Sequence, residues 1–478
     1  MSKTAISDLC FMSARELASL IRSRKLSARE VMTAFLFQIE RINPRINAIV
    51  AKLDDDQCLA MADDADRVLA KDKNVGPLHG LPFAFKDLEP AIGFPFTRGS
   101  RIFKNLMPSE DSLVVERLRR AGVIPIGKTN VSEFGMGSHT YNDVYGTTLN
   151  PYNLNKSAGG SSGGAGAALA AGLLPLANGS DLGGSLRNPA NFNNVVALRP
   201  TVGLVPSAPT LLPFYGFSVK GPMARSVADL AFLLSVMAGD DPRDPACYPS
   251  NPAVFARTLE RDFKGVRVAW CLDLGGLPLD PRVRAALEGQ RKAVENLGCV
   301  VEDACPDLSG ADNVFLTLRA WNYWHSLGSL LEKHRSQMKP EAVWQIESGG
   351  RLSGSDVANA MTQHGELMQR MRGFQERYEF LFCAVNQLPP FEANLDWPRE
   401  IDGVKMETYL DWMKSAYWIS ATFRPAISVP AGFTDNGLPV GIQIVGRYRD
   451  DLGVLQIAHA IEQATGVGRK RPWIVSNS

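Results

Sequence analysis

The sequence predicts an α/β protein: one large domain with a central mixed, mostly parallel β-sheet sandwiched between helices, an N-terminal helical arm, and a helical insertion near residues 307–420. Three observations carry that expectation. From about residue 76 onward, apolar runs of strand length alternate with amphipathic helical patterns, the arrangement that covers a sheet on both faces. The 478 residues are 45% hydrophobic and 21% charged, ordinary globular usage with material for a sizeable core. No repeat of 20–50 residues and no low-complexity tract interrupts the alternation.

Taken in order, Ser13 and Ser27 each precede a helix-forming run with a glutamate three residues on, Glu16 and Glu30, which is capping-box spacing. Residues 1–65 are therefore read as a helical arm packed on a main domain of 66–478. Strands are expected at 81–85, 123–127, 267–272, 299–302, 426–430 and 440–445, with a further apolar run at 173–177. Helices are expected at 111–121, 163–171, 226–238, 281–297 and 452–465. The segment 307–420 is richer in helix formers and holds six of the eight tryptophans. It reads as an insertion or lid beside the sheet.

Composition excludes several functions. Lys+Arg (51) and Asp+Glu (50) nearly cancel, for a net charge of +1, and no basic stretch stands out; neither nucleic acid nor an anionic membrane is an expected partner. The N-terminus lacks the apolar core of a signal peptide, and no apolar run approaches the roughly 20 residues of a spanning helix. The seven cysteines are odd in number, scattered and without CxxC spacing. They read as reduced, mostly buried thiols of a cytoplasmic protein. The six histidines form no HExxH or HxH cluster, so no metal site is expected.

Chemistry concentrates in residues 157–190, where two Gly/Ser clusters flank a Gly/Ala helix and a short apolar run. Glycine at this density lets backbone N–H groups converge where a Cβ would obstruct them, and such donors can stabilise a developing oxyanion. A P-loop would need a Lys after its glycines, and none follows. Gly164-Ala165-Gly166 lacks the third glycine of a dinucleotide fingerprint. Gly160-Ser161-Ser162-Gly163-Gly164 satisfies GxSxG, but a nucleophile elbow needs an apolar strand before it, and a polar, turn-rich stretch precedes it here. A plain glycine-rich packing loop leaves unexplained why serines and an Asp/Arg pair accompany the clusters.

The segment resembles the signature of the amidase signature family. Gly159-Gly160-Ser161-Ser162-Gly163-Gly164 is followed by the small-residue helix, then by Asp181-Leu182-Gly183-Gly184-Ser185-Leu186-Arg187 with Pro189 and Ala190. Upstream, the stretch from Gly80 to Asp87, GLPFAFKD, resembles the family's lysine motif, and Lys128-Thr129-Asn130, Glu133-Phe134, Gly146-Thr147 and Asn150-Pro151 its connecting blocks. Downstream, 425–432 and 437–446 resemble its last strands. The likeness spans about 13–466 and is weakest over 300–420.

The resemblance implies a serine amide hydrolase: Ser185 is the nucleophile, Ser161, on a cis peptide bond, the bridge, and Lys86 the ultimate base. It places the oxyanion hole at the amides of Leu182, Gly183, Gly184 and Ser185, and Gly135, Met136 and Gly137 near the acyl group. The chemistry agrees, since a serine hydroxyl needs an adjacent base and a lysine serves only when desolvation makes it neutral. Lys86 follows an apolar strand. Asp181 and Arg187 read as an ion pair bracing the loop, no histidine is needed, and no cofactor is required.

A small-molecule amide is the expected partner, with a homodimer compatible with the sequence. The glutaminase component of the tRNA-dependent amidotransferases shares the signature, but its Asp-containing pattern before the PAISVP strand is missing here. The stretch 409–418 offers aromatics instead, with Tyr409 and Trp412 at helical spacing, which fits either packing or a pocket. The Trp and Tyr content of 321–418 favours an apolar or aryl amide or a carbamate ester.

Overall fold

The computed structural model describes residues 8–476; residues 1–7 of the expected arm lie outside them. Helices α1 (Ala14–Arg22) and α2 (Ala28–Ile46) begin where the sequence places them. Ser13 Oγ accepts the Glu16 amide, and Ser27 with Glu30 completes a capping box. Strand β1 (Ile49–Val50) and helix α3 (Asp55–Lys71) follow, then β2 (Pro82–Lys86), α4 (Leu113–Arg120) and β3 (Ile124–Thr129). These strands form a three-stranded sheet in the order β1-β3-β2, with β2 and β3 parallel across α4.

The chain then enters the large sheet. It comprises β4 (Leu176–Asp181), β5 (Val196–Arg199), β6 (Val219–Ala224), β7 (Arg267–Trp270), β8 (Val300–Asp303), β9 (Phe380–Ala384), β10 (Ala426–Phe433) and β11 (Pro439–Val445). Their order is β8-β7-β9-β11-β10-β5-β6-β4. The helices between are α5 (Gly163–Ala170), α6 (Arg187–Phe192), α7 (Val227–Met237), α8 (Pro281–Asn296), α9 (Ala311–His334), α10 (Pro340–Gly350), α11 (Gly354–Arg377), α12 (Lys414–Ala421) and α13 (Asp451–Thr465).

Period-two burial explains the sandwich. Phe380 and Phe382 of β9 share a core with Leu233 of α7, Leu287 of α8 and Leu455 of α13. Leu381 and Cys383 face the opposite way and pack with Leu318 of α9, Met371 of α11 and Tyr417 of α12. Among the described residues no helix is long and apolar enough to cross a membrane.

The α/β sandwich and its mixed sheet agree with the sequence, and four details differ. Parallel pairing is confined in the large sheet to β7 with β8 and β7 with β9; the other neighbours are antiparallel, because β10 and β11 form a hairpin and β5 and β6 return on themselves. The segment 307–420 is not wholly an insertion, since its apolar run at β9 lies inside the sheet. The boundary at residue 65 falls within α3, and β1 pairs with β3, which ties the arm into the core. Finally, Cys271 and Cys305 form a disulfide with Cα atoms 5.3 Å apart. They lie just past the ends of the adjacent parallel strands β7 and β8, a proximity invisible in the spacing.

The start of α5 depends on close backbone approach. A Cβ on Gly164 would sit 2.6 Å from Ala48 O and 2.7 Å from Asn130 O, all backbone that cannot yield. Gly164→Ala should therefore destabilise the fold by about 3 kcal/mol, read as a lowered denaturant midpoint.

Candidate active site

Three pieces of chain converge at one end of β2 and β4. The first is β2, whose PFAFK side chains are all buried, so that Lys86 projects from a dry strand end. Its Nζ lies 2.9 Å from Ser161 Oγ, 2.7 Å from Ser162 Oγ, 2.9 Å from Ser180 Oγ and 3.3 Å from Ser180 O. Burial lowers its pKa from 10.5 to about 7; Lys220 pushes the same way, while Glu89 and Asp181 oppose. No carboxylate touches the amine among the described residues.

The second piece is the loop entering α5. The Gly160–Ser161 peptide is cis. Gly159 packs against Pro189, Gly160 against the backbone of Ser138 and His139, and the Gly163 amide donates to Thr140 Oγ1 at 3.0 Å. The loop is thereby held between its neighbours with Ser161 and Ser162 turned to Lys86. The Ser162 amide donates to Ser185 O at 3.3 Å, which couples this loop to the next.

The third piece is the turn from β4 into α6, which carries Ser185, 7% exposed. Asp181 organises it. Its Oδ1 accepts the Gly184 amide at 2.8 Å and its Oδ2 the Leu186 amide at 3.2 Å. Arg187 grips both oxygens at 3.0 Å, and Arg199 adds a third contact at 3.3 Å. Burial alone would raise the Asp181 pKa, but the two guanidinium groups hold it well below the usual carboxylate range. The expected brace between Asp181 and Arg187 is present.

One of the four amides expected to hold an oxyanion is already engaged. The Gly184 amide is taken by Asp181, which leaves those of Leu182, Gly183 and Ser185 as candidates. Gly183 is walled by Phe315 and Tyr417, whose rings stack at 4.3 Å. Gly184 has φ +116°, and a Cβ there would strike Asn188 and Ala416.

Gly135, Met136 and Gly137 lie across from this turn. A Cβ on Gly135 would stand 3.5 Å from Ser161 Oγ, Met136 packs with Phe134 and Tyr323, and Gly137 faces the Tyr409 ring. Trp412 is core, stacked on Phe192, whereas Tyr409 borders the site. From Leu88, next to Gly135, a cavity of about 350 Å³ opens past Arg98 and Lys220.

Sequence reasoning missed Ser162, Ser180 and Arg199. Only Ser162 had a signal, as the second serine of its pair. His139 is buried against Ser157 Oγ and Ala393 O, and burial lowers its pKa to about 4. Among the described residues the one cluster of metal-ligand types is Cys271, Asp273 and Cys305, and its two sulfurs are bonded to each other.

A desolvated amine thus stands among hydroxyls, beside a turn presenting amides. The family described as Amidase matches residues 30–455. An acylamidase of Rhodococcus erythropolis is 36% identical over 98% of this chain and 97% of its own. A glutamyl-tRNA(Gln) amidotransferase chain of Synechococcus sp. (strain CC9605) is 34% identical over 95% and 96%. The crystal structure of a bacterial aryl acylamidase of the amidase signature family superposes with a TM-score of 0.91 at 27% identity, covering 98% of this chain and 99% of that one. The chain belongs to the amidase signature family and is an amide-hydrolysing enzyme.

Asp181→Asn leaves two buried guanidinium groups without their anion. It should cost about 3–5 kcal/mol of stability, measured by denaturant unfolding, whereas Glu392→Gln at the exposed end of the Lys156 ion pair should cost less than about 1 kcal/mol.

Proposed function

We propose that the enzyme is a serine amidase in which Ser185 attacks the amide carbonyl, Ser161 relays protons and Lys86 is the base. The observation that carries this reading is the Lys86 amine, wholly buried, facing three serine hydroxyls and one carbonyl, with a pKa near 7. A neutral amine has two N–H donors and one lone pair. The carbonyl of Ser180 can only accept, so at least one hydroxyl is free to donate to the lone pair, and Ser161 is the one that leads toward the substrate.

Atoms and protons are conserved at each step. Lys86 takes the Ser161 proton as Ser161 takes that of Ser185, and Ser185 Oγ bonds to the carbonyl carbon. The resulting oxyanion rests on the amides of Leu182, Gly183 and Ser185. Collapse breaks the C–N bond, and the proton on Lys86 returns through Ser161 to the leaving nitrogen. Water then attacks the ester, gives its proton to the same relay and releases the acid with Ser185 restored.

The rings of Phe315 and Tyr417 beside Gly183 favour an apolar or aryl amide or carbamate, and the likeness to an acylamidase supports the first reading. The second reading, the glutaminase component of an amidotransferase, is favoured by the 34% identity to the Synechococcus amidotransferase chain. A panel of anilides, primary amides, carbamates and glutamine decides between them. Turnover of anilides or apolar amides by the isolated chain supports the first reading; ammonia release from glutamine that depends on partner proteins would overturn it.

Ser185→Ala and Lys86→Met should each lower kcat/KM by roughly 10^4-fold or more, and mass spectrometry of a quenched wild-type reaction should show an acyl group on Ser185. Because the base works in its neutral form, kcat/KM should rise with pH up to about 7 and level off above it. A flat profile from pH 5 to 9 would count against Lys86.

A further inference from the structure

Two arginines beside the site form no ion pair among the described residues. Arg319 of α9 is 3% exposed and touches neutral groups: it donates to Gln345 Oε1, and its guanidinium lies 4.8 Å from the Tyr323 ring centre and 5.4 Å from that of Tyr409. The ionisable groups that act on it most are the phenols of Tyr409, Tyr323 and Tyr215, and no carboxylate is within ion-pair reach among the described residues. Tyr215 brings a buried hydroxyl without a hydrogen-bond partner among the described residues. Arg98 lies over Phe103 and Phe134. The carboxylate it feels, Asp87, is engaged by Lys128 and Thr97.

A buried cation is costly without an anion, and tyrosine faces with one amide oxygen offset only part of that. The placement is equally specific. Phe315, whose ring covers Gly183, precedes Arg319 by four residues on one helix face, and Tyr409 covers Gly137 on the opposite wall. Arg319 thus stands between the rings that cover Gly183 and Gly137, one helical turn from Phe315 and over Tyr409.

We propose that Arg319 and the Tyr215 hydroxyl form a subsite for a carboxylate at the far end of the substrate, with Arg98 adding to the positive potential. This rests on the serine amidase reading and narrows its substrates to amides with an apolar body and a carboxylate remote from the scissile carbonyl. A planar guanidinium suits a carboxylate.

Adipamic acid and hexanamide test it, since they differ in carrying a carboxylate or a methyl group at the end remote from the amide. Wild type should favour adipamic acid by about tenfold or more in kcat/KM. Arg319→Met should lower that ratio by about 10- to 100-fold, through KM for the carboxylated amide, with Arg319→Lys recovering part and Tyr215→Phe losing a smaller part. A wild-type ratio of one or below, or a ratio unchanged in Arg319→Met, overturns the subsite. Calorimetric binding of both compounds to Ser185→Ala reads the same preference without turnover, and equal affinities there would also overturn it. Continued hydrolysis by Ser185→Ala would instead sink the catalytic reading, so the two failures are distinguishable.

Discussion

The carboxylate of Asp181, buried between the guanidinium groups of Arg187 and Arg199, organises the turn that leaves β4 and carries Ser185. One side chain receives two backbone amides of the turn and two cations. The arginines spend their other donors on the rest of the fold. Arg187 reaches Ala416 O and Ser420 Oγ of α12 and Gln443 of β11, and Arg199 reaches Asp181 O and Phe217 O. The turn, two strands and a helix of the opposite layer are thereby joined through one ion cluster. Such networks are rigid when every member is satisfied and costly when one is removed.

Lys86, at the neighbouring strand end, follows the reverse electrostatic rule. It is as buried as Asp181 but has hydroxyls in place of a counterion, so desolvation drives it toward neutrality. Asp181 pulls it the other way. Two arginines on Asp181 leave that corner of the site with a surplus of positive charge, and this limits how far the carboxylate can hold a proton on the lysine. Asp181 and Lys86 are therefore one electrostatic system, although no hydrogen bond joins them among the described residues.

The sequence makes legible what depends on local pattern or on a dense motif. The capping serines of α1 and α2, the small-residue helix α5, the strand ending in Lys86 and the Asp181–Arg187 pair are all readable in this way. Features that need the third dimension are not. Arg199 sits in a strand with no motif, yet it reaches Asp181 because β5 runs close to β4 with only β6 between. The run at β9 is hidden inside a helix-rich segment, where a short apolar stretch does not separate strand from buried helix. Cys271 and Cys305 meet only because β7 and β8 are neighbours. The Gly184 amide reads as an oxyanion donor along the chain, whereas in three dimensions the Asp181 carboxylate claims it.

The order of the large sheet has a consequence for how the chain is made. Strands β8, β7 and β9 form one half and β5, β6 and β4 the other, and only the β10–β11 hairpin at Ala426–Val445 connects them. As the polypeptide leaves the ribosome, both halves are complete before their connector exists. Each then carries an open apolar edge, β9 on one side and β5 on the other, of the kind that templates wrong pairings. The closing contacts also span long stretches of chain, which slows their formation. Yield in a host should therefore depend on chaperones that shield those two edges until the hairpin arrives.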